Sequence, residues 1–352
     1  MTEEVVVGIL YPGEWHGGAD AFAAAVADLE ALDDRVRVIA EPYLESHELR
    51  TVRGGDDAET ARGQAPELTD EQRAALADVH VVVALDLPFD VATHAPRLQW
   101  VQAVGAGTAQ LQSAGLGGAG IRLTSAAGVN AVGIAEFVIG RLLQHWKRFP
   151  EIDDAQTRHE WEPRYGRQLA GATVGLIGLG AINAAVARRL RPFDVRVLAT
   201  RRSATPGATA PDVDELFPTT ELHVMLGRCD AVVAAVPETP ETRGLMDAAA
   251  FAATAPGAFF VNVGRGSLVD EPALIDALER GHLSGAALDV ASSEPLPGEH
   301  PLWDAPNVLV SPHTAASPTA LFANLQVLFR ENLARYLADE QLQNEVDLSR
   351  GY

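Results

Sequence analysis

Short runs of consecutive apolar residues recur along the chain, bounded by glycine, proline or small polar residues, and between them apolar positions return at helical spacing. Val5–Leu10, Val36–Ala40, Val79–Leu85, Leu98–Ala103 and Ile121–Ser125 read as buried strands of a first unit. The alanine-rich stretch Ala19–Leu32 predicts a helix, and Thr69 is an N-cap for another over Asp70–Ala77. The polar stretch Glu45–Glu67, containing Gly54-Gly55-Asp56-Asp57, reads as a surface loop. Ala131–Phe149 predicts a long helix with one apolar face. A second set of strands follows at Thr173–Ile177, Val195–Ala199, Ala231–Val236, Phe259–Val263, Gly285–Val290 and Val308–Val310. Helices are expected between them at Ala181–Leu190, Thr220–Arg228, Asp247–Ala253 and Glu271–Arg280. Uniformly apolar strands alternating with helices are the signature of parallel sheets covered on both faces, so the fold class is α/β with two doubly wound domains. A last helix, Thr319–Leu337, is expected to return to the first unit. That makes the first domain discontinuous, 1–128 with 318–352, around a second domain at 129–317, with the first linker near Gly128–Gly133.

The stretch Thr173–Ser203 reads as strand, tight turn, helix, strand. Gly178-Leu179-Gly180 allows a turn that can lie against a pyrophosphate, and the helix beginning at Ala181 and Ile182 presents its N–H groups and positive dipole end there. The usual third glycine is Asn183, which predicts looser packing of helix on strand. At the end of the second strand, from position 178 to 200, a carboxylate that would accept the ribose hydroxyl of NAD is replaced by Thr200-Arg201-Arg202-Ser203. Two guanidinium groups and two hydroxyls suit a 2′-phosphate, which a carboxylate would repel. This favours NADP(H), with NAD(H) also admitted; the plainer alternative makes Arg201 and Arg202 solvated loop charges.

Composition narrows the partners. A chain of 352 residues, 47% hydrophobic and 21% charged, suits two globular domains. The net charge of −21, with Lys147 the only lysine, argues against nucleic acid and anionic membrane. Because the acidic residues are dispersed, they suit solubility better than a specific partner, and the arginine, alanine and glycine bias fits either a GC-rich genome or mild salt adaptation. No apolar run is long enough to span a bilayer, and MTEEVVVGIL lacks the basic region of a signal peptide, so the cytoplasm is the expected location. The single Cys229 excludes a cysteine metal site or disulfide framework, and no metal is expected.

Three late strand ends carry candidate chemistry: Asn262-Val263-Gly264-Arg265-Gly266, Leu288-Asp289-Val290 leading to Glu294, and Val310-Ser311-Pro312-His313. Ligands of open α/β sheets sit beyond the carboxyl ends of strands. An arginine there can hold an anionic or carbonyl oxygen, a histidine can move a proton, and a carboxylate can orient the histidine and favour its charged form. Taken singly, each has a plainer reading: Arg265 as a cap, Glu294 as a loop charge, His313 as one of ten histidines.

These segments, with Leu98-Gln99-Trp100-Val101-Gln102, GLIGLG, AVPETPETRGL, VNVGRGSLVDEPAL, GAALDVASSEPLP and PLWDAPNVLVSPH, resemble the D-isomer-specific 2-hydroxyacid dehydrogenase family, particularly its glyoxylate/hydroxypyruvate reductases. The resemblance implies two Rossmann-like domains, a dimer formed through the central one, and hydride transfer between NADP(H) and a small 2-keto or 2-hydroxy acid. It implies Arg265, Glu294 and His313 as the catalytic set, and the Gly105, Ala106 and Gly107 loop as the site of the substrate carboxylate. It also implies Asp289 near the nicotinamide carboxamide, with Val236, Pro237, Thr242 and Val263 lining the cofactor and domain closure excluding water. Departures are Asn183, Ala181 in place of a common arginine, and Ala291 in place of a frequent phenylalanine. Glu294 stands where the formate dehydrogenase branch has glutamine, which lowers that reading. Two alternatives remain: a dinucleotide-sensing binding protein of the co-repressor kind, and a dehydrogenase of another small anion such as phosphite.

Overall fold

The computed structural model describes residues 4–55, 58–205 and 207–348. The chain divides into two compact units, Met1–Val129 with Pro318–Tyr352, and Asn130–Ser317. In the first unit, strands β1 (Val5–Ile9), β2 (Val36–Ala40), β3 (Val81–Ala84), β4 (Trp100–Ala103) and β5 (Arg122–Thr124) form one sheet in the order β2-β1-β3-β4-β5. Its ladders are all parallel, as the uniformly apolar strand runs predict. The helix Pro318–Leu337 returns to this sheet and buries Phe322, Leu325, Phe329 and Leu333 with Val7, Ile9, Val81 and Trp100.

The second unit holds β6 (Thr173–Ile177), β7 (Arg196–Thr200), β8 (Glu215–Phe217), β9 (Ala231–Ala234), β10 (Ala258–Asn262), β11 (Leu283–Leu288) and β12 (Val308–Val310). Their order is β12-β11-β10-β9-β6-β7-β8, again all parallel. Strand order reverses between β6 and β9, and at such a switch point the loops that follow the two strands diverge to opposite faces and leave a crevice. One face packs on the helices Ala131–Trp146 and Ala181–Leu190, the other on Leu222–Leu226, Ala248–Ala252 and Glu271–Glu279. Cys229 is fully buried, and its thiol is pushed up to about 12 by that burial, which makes it a small core residue and no nucleophile.

Two expectations are corrected. The stretch 45–67 is no loop: Ser46 caps a helix over His47–Arg53 by accepting from the Leu49 N–H at 3.1 Å, and a 3₁₀ turn follows at Ala58–Gln64. Asp56 and Asp57 lie outside the described residues. Arg53 is only 2% exposed, stacks on the Phe89 ring at 4.0 Å, donates to Ser113 Oγ at 2.9 Å and pairs with buried Glu45. A polar composition hid this helix because it buries only Leu49 and the paired Arg53. The helix expected over Ala131–Phe149 stops at Trp146, where Arg148 takes φ +59°, and a second helix runs over Phe149–Thr157 with Pro150 in its first turn. A proline has no N–H to continue the preceding helix, but it fits the start of a new one. Among the described residues no helix is long and apolar enough to cross a membrane.

Candidate active site

The turns after three neighbouring strands of the second unit hold the candidate chemistry. β10 ends at Asn262, fully buried, whose amide accepts from the Gly264 N–H at 3.0 Å and donates to the Arg265 carbonyl at 2.9 Å. Both ends of the turn are thereby fixed, so Arg265 projects from a braced backbone, half-buried, with Nη1 donating to the Gly264 carbonyl at 2.8 Å. Gly266 then passes so close to the turn after β11 that a methyl group at this position would overlap the Ala291 carbonyl. Only glycine allows that approach, which presses the Arg265 and Glu294 segments together.

β11 leads to Asp289, and β12 to His313. Asp289 is 3% exposed: its Oδ1 accepts from Ser311 Oγ at 2.7 Å, Thr314 N–H at 2.9 Å and Ala315 N–H at 3.1 Å, and Oδ2 from Ala315 N–H at 3.0 Å. Its main-chain carbonyl accepts from the His313 N–H at 2.9 Å. These bonds bracket His313, whose φ of +54° is a left-handed conformation that costs a non-glycine residue roughly 1 kcal/mol. Held in this way, His313 Nδ1 lies 2.8 Å from Glu294 Oε2, while Glu294 Oε1 accepts from the Ala291 N–H at 3.1 Å.

The electrostatics follow from these contacts. The Glu294 bond raises the His313 pKa above its usual value and outweighs burial and the Arg265 charge, which act the other way. Burial works to raise Glu294, but the His313 bond, the Ala291 N–H and the charges of His313 and Arg265 hold it below the usual carboxylate value. The pair is thus biased toward imidazolium and carboxylate. With Nδ1 committed to Glu294, Nε2 is the ring nitrogen from which a proton can be given or taken.

The loop after β6 fits a dinucleotide pyrophosphate. Gly178 takes φ +78°, and a side chain here would collide with Val236 Cγ1 from the loop after β9. The helix Ala181–Leu190 starts at Gly180, and Gly180 and Ala181 are exposed while Ile182 packs partly on the core. Asn183, in place of the third glycine, bonds the turn that precedes its helix. It is fully buried, and its amide donates to the Ile177 carbonyl at 3.0 Å and to the Gly178 carbonyl at 2.6 Å, tying the helix to the turn.

Several expected cofactor residues are engaged within the chain. Thr200 is 1% exposed and its hydroxyl accepts from the Gly178 N–H at 3.0 Å, so it secures the loop and leaves Arg201 and Arg202, both exposed, beyond the strand. The Asp289 carboxylate, expected beside the carboxamide, is saturated by the 311–315 segment. Thr242 Oγ1 donates to the Pro237 carbonyl at 2.7 Å and accepts from the Thr239 N–H at 2.8 Å, closing its own loop; Pro237 is exposed and Val236 half-buried. The Val263 side chain is in the core, which leaves only its backbone to meet a ligand. Glu241 shares the neighbourhood of Arg202: its own backbone N–H and the Thr239 hydroxyl lower its pKa, and the Arg202 charge adds to them.

Gly105, Ala106 and Gly107 belong to the first unit, and Arg265, Glu294 and His313 to the second. They follow β4; Ala106 and Gly107 are exposed, and the Gly105 carbonyl accepts from the Ala126 N–H at 2.9 Å. The bracing roles of Asn262 and Ser311 were not read from the sequence, which marks them only as polar positions beside apolar runs.

Comparison with known proteins places the chain among related sequences and folds. Residues 139–315 match the sequence pattern described as D-isomer specific 2-hydroxyacid dehydrogenase, NAD binding domain. A glyoxylate reductase/hydroxypyruvate reductase of Mus musculus is 34% identical over 235 residues, 65% of this chain and 71% of that protein. A D-3-phosphoglycerate dehydrogenase of Mycobacterium tuberculosis is 32% identical over 302 residues, 84% of this chain but only 56% of that longer protein. The crystal structure of an NADPH-dependent glyoxylate/hydroxypyruvate reductase from Sinorhizobium meliloti, in complex with NADP and sulfate, superposes with a TM-score of 0.74 at 27% identity, covering 100% of both chains.

Proposed function

The chain belongs to the D-isomer specific 2-hydroxyacid dehydrogenase family, whose members are NAD(P)-dependent oxidoreductases, and from that membership we propose that it reduces a small 2-keto acid of the glyoxylate or hydroxypyruvate type to the D-2-hydroxy acid, preferring NADP(H). The observation that carries this reading is the 2.8 Å contact of His313 Nδ1 with Glu294, a pair on which the Arg265 charge also acts. A bound nicotinamide dinucleotide would supply the hydride. Arg265 would hold the keto acid by its carbonyl and carboxylate oxygens, and the Gly105, Ala106 and Gly107 backbone N–H groups would bind the carboxylate. His313 would give its Nε2 proton to the carbonyl oxygen as negative charge develops, with Glu294 keeping the ring charged beforehand and oriented throughout.

Gly178, Gly180 and the N-terminus of the helix Ala181–Leu190 would hold the pyrophosphate. Arg201 and Arg202 would bind the 2′-phosphate. Initial rates with NADPH and with NADH, over glyoxylate, hydroxypyruvate, pyruvate and a bulkier 2-keto acid, test the reading. Faster turnover with NADPH on at least one acid is expected. The double variant Arg201→Ser/Arg202→Ser should raise the KM for NADPH about 10- to 100-fold and leave NADH nearly unchanged, since charged hydrogen bonds contribute about 1.5–3 kcal/mol. Equal losses with both cofactors would remove the phosphate role. No turnover on any acid, with dinucleotide binding retained, would favour the binding-protein alternative.

The same reading includes a cytoplasmic location and a homodimer formed through the second unit, where Trp161 is 100%, Tyr165 85% and Phe149 47% exposed. Sedimentation equilibrium is expected to give twice the 37.3 kDa chain mass, and a monomer at micromolar concentration would count against the dimer.

A further inference from the structure

Glu271 opens the helix Glu271–Glu279, yet Asp270 already caps that helix by accepting from the Ala273 N–H at 3.1 Å. A second carboxylate at a helix start is ordinarily solvated; Glu271 is 6% exposed and turned away. Its Oε1 accepts from the Ser292 N–H at 2.7 Å and its Oε2 from the Ser292 hydroxyl at 2.6 Å, with His300 Nε2 3.4 Å from Oε2. Burying a carboxylate is costly unless its lone pairs are engaged, and these are spent on a residue 21 positions away. Ser292 lies inside the turn that begins at Ala291, whose N–H holds Glu294 Oε1, and ends at Glu294, whose other oxygen meets His313. Gly266 presses on the Ala291 carbonyl. The turn is therefore clamped between the Arg265 segment and Glu271.

We infer that Glu271 is a positioning residue for Glu294: by holding Ser292 through backbone and hydroxyl, its buried carboxylate fixes the turn from which Glu294 reaches His313. The inference rests on the reading of Glu294 and His313 as the acid–base pair. It predicts that loosening the turn weakens the Glu294–His313 contact and is reported by the His313 ring. The charged groups acting on that ring are Glu294 at Nδ1, Asp289 beneath its backbone and Arg265 opposing them.

The test is an NMR titration of His313 in the full chain without dinucleotide or substrate, with the signal assigned by its loss in His313→Gln. In Glu271→Ala the His313 pKa is expected to fall by at least about 0.5 unit, because its charged form loses part of its partner. Ser292→Ala should give a smaller shift in the same direction, and Glu271→Gln, which keeps an acceptor for the Ser292 N–H, should restore most of the wild-type value. Reduction by Glu271→Ala should drop about tenfold in kcat/KM, chiefly through kcat. A His313 titration unchanged in both Glu271→Ala and Ser292→Ala, with only a lower thermal midpoint, would overturn the inference. Should Glu271→Ala fail to fold, Ser292→Ala at an exposed serine decides the question. Because the titration needs no turnover, it can fail or succeed independently of the keto-acid assignment.

Discussion

His313→Gln is expected to lower kcat/KM for 2-keto acid reduction by about a thousandfold, within the range of 10²–10⁴ that a positioned general acid contributes. Glutamine fills much the same space and keeps a polar end group, but has no proton to give at neutral pH. The Asp289 bonds to the 311–315 segment remain, so the fold and dinucleotide affinity should be preserved. The pH dependence identifies the group. Reduction requires the imidazolium, and Glu294 raises the His313 pKa, so kcat/KM should be level on the acid side and fall as pH rises through that raised value. Oxidation of the hydroxy acid needs the neutral ring and should rise over the same interval. In Glu294→Gln the charged partner is gone and the fall in reduction should move to lower pH. Initial rates over pH 5–9 check this; a His313→Gln enzyme within tenfold of wild type, or a limb that stays put in Glu294→Gln, would remove His313 from the mechanism.

Arg265→Lys should lose about a hundredfold in kcat/KM, and Arg265→Ala more, with the KM for the keto acid rising in both. A planar guanidinium can bridge two oxygens at once, whereas an ammonium is a point charge on a flexible stem. Here the plane is set in advance: Nη1 is held by the Gly264 carbonyl at 2.8 Å, and Asn262 braces the turn from beneath. A lysine keeps the braced backbone but has no plane to be set. Because Arg265 also opposes the charging of His313, its removal should move the reduction limb to slightly higher pH. Dinucleotide Kd, read by fluorescence, should stay within about threefold, since the pyrophosphate loop lies on β6 and not β10. If Arg265→Lys kept its keto-acid KM, the substrate-clamp role would be lost.

Much of the protein was legible in its sequence because burial on both faces of a parallel sheet writes itself as uninterrupted apolar runs. Val81–Ala84 and Ala231–Ala234 are such runs, and the strand and helix alternation sets the α/β class. The glycines around Leu179 and the positions of Arg265, Glu294 and His313 after successive strands were equally plain, since they are local in sequence. Local pattern could not reveal what buried polar groups do. Arg53 finds Ser113 across 60 positions, Asp289 finds Ala315 across 26, and Glu271 finds Ser292 across 21. In each case a hydrogen-bonding group is satisfied by a partner that only chain folding supplies, so its burial leaves no periodic trace. For the same reason Thr200 turned inward to Gly178, Asn183 bonded the carbonyls of the turn before its helix, and the polar stretch after Glu45 formed a helix around a buried Arg53. The sequence by itself determined the class and all the strands but Glu215–Phe217, and it marked Arg265, Glu294 and His313 as the candidate chemistry. The tertiary structure decided which polar groups face a ligand and which hold the backbone, because a carboxylate or amide serves one or the other according to the donors and acceptors that folding brings within about 3 Å of it.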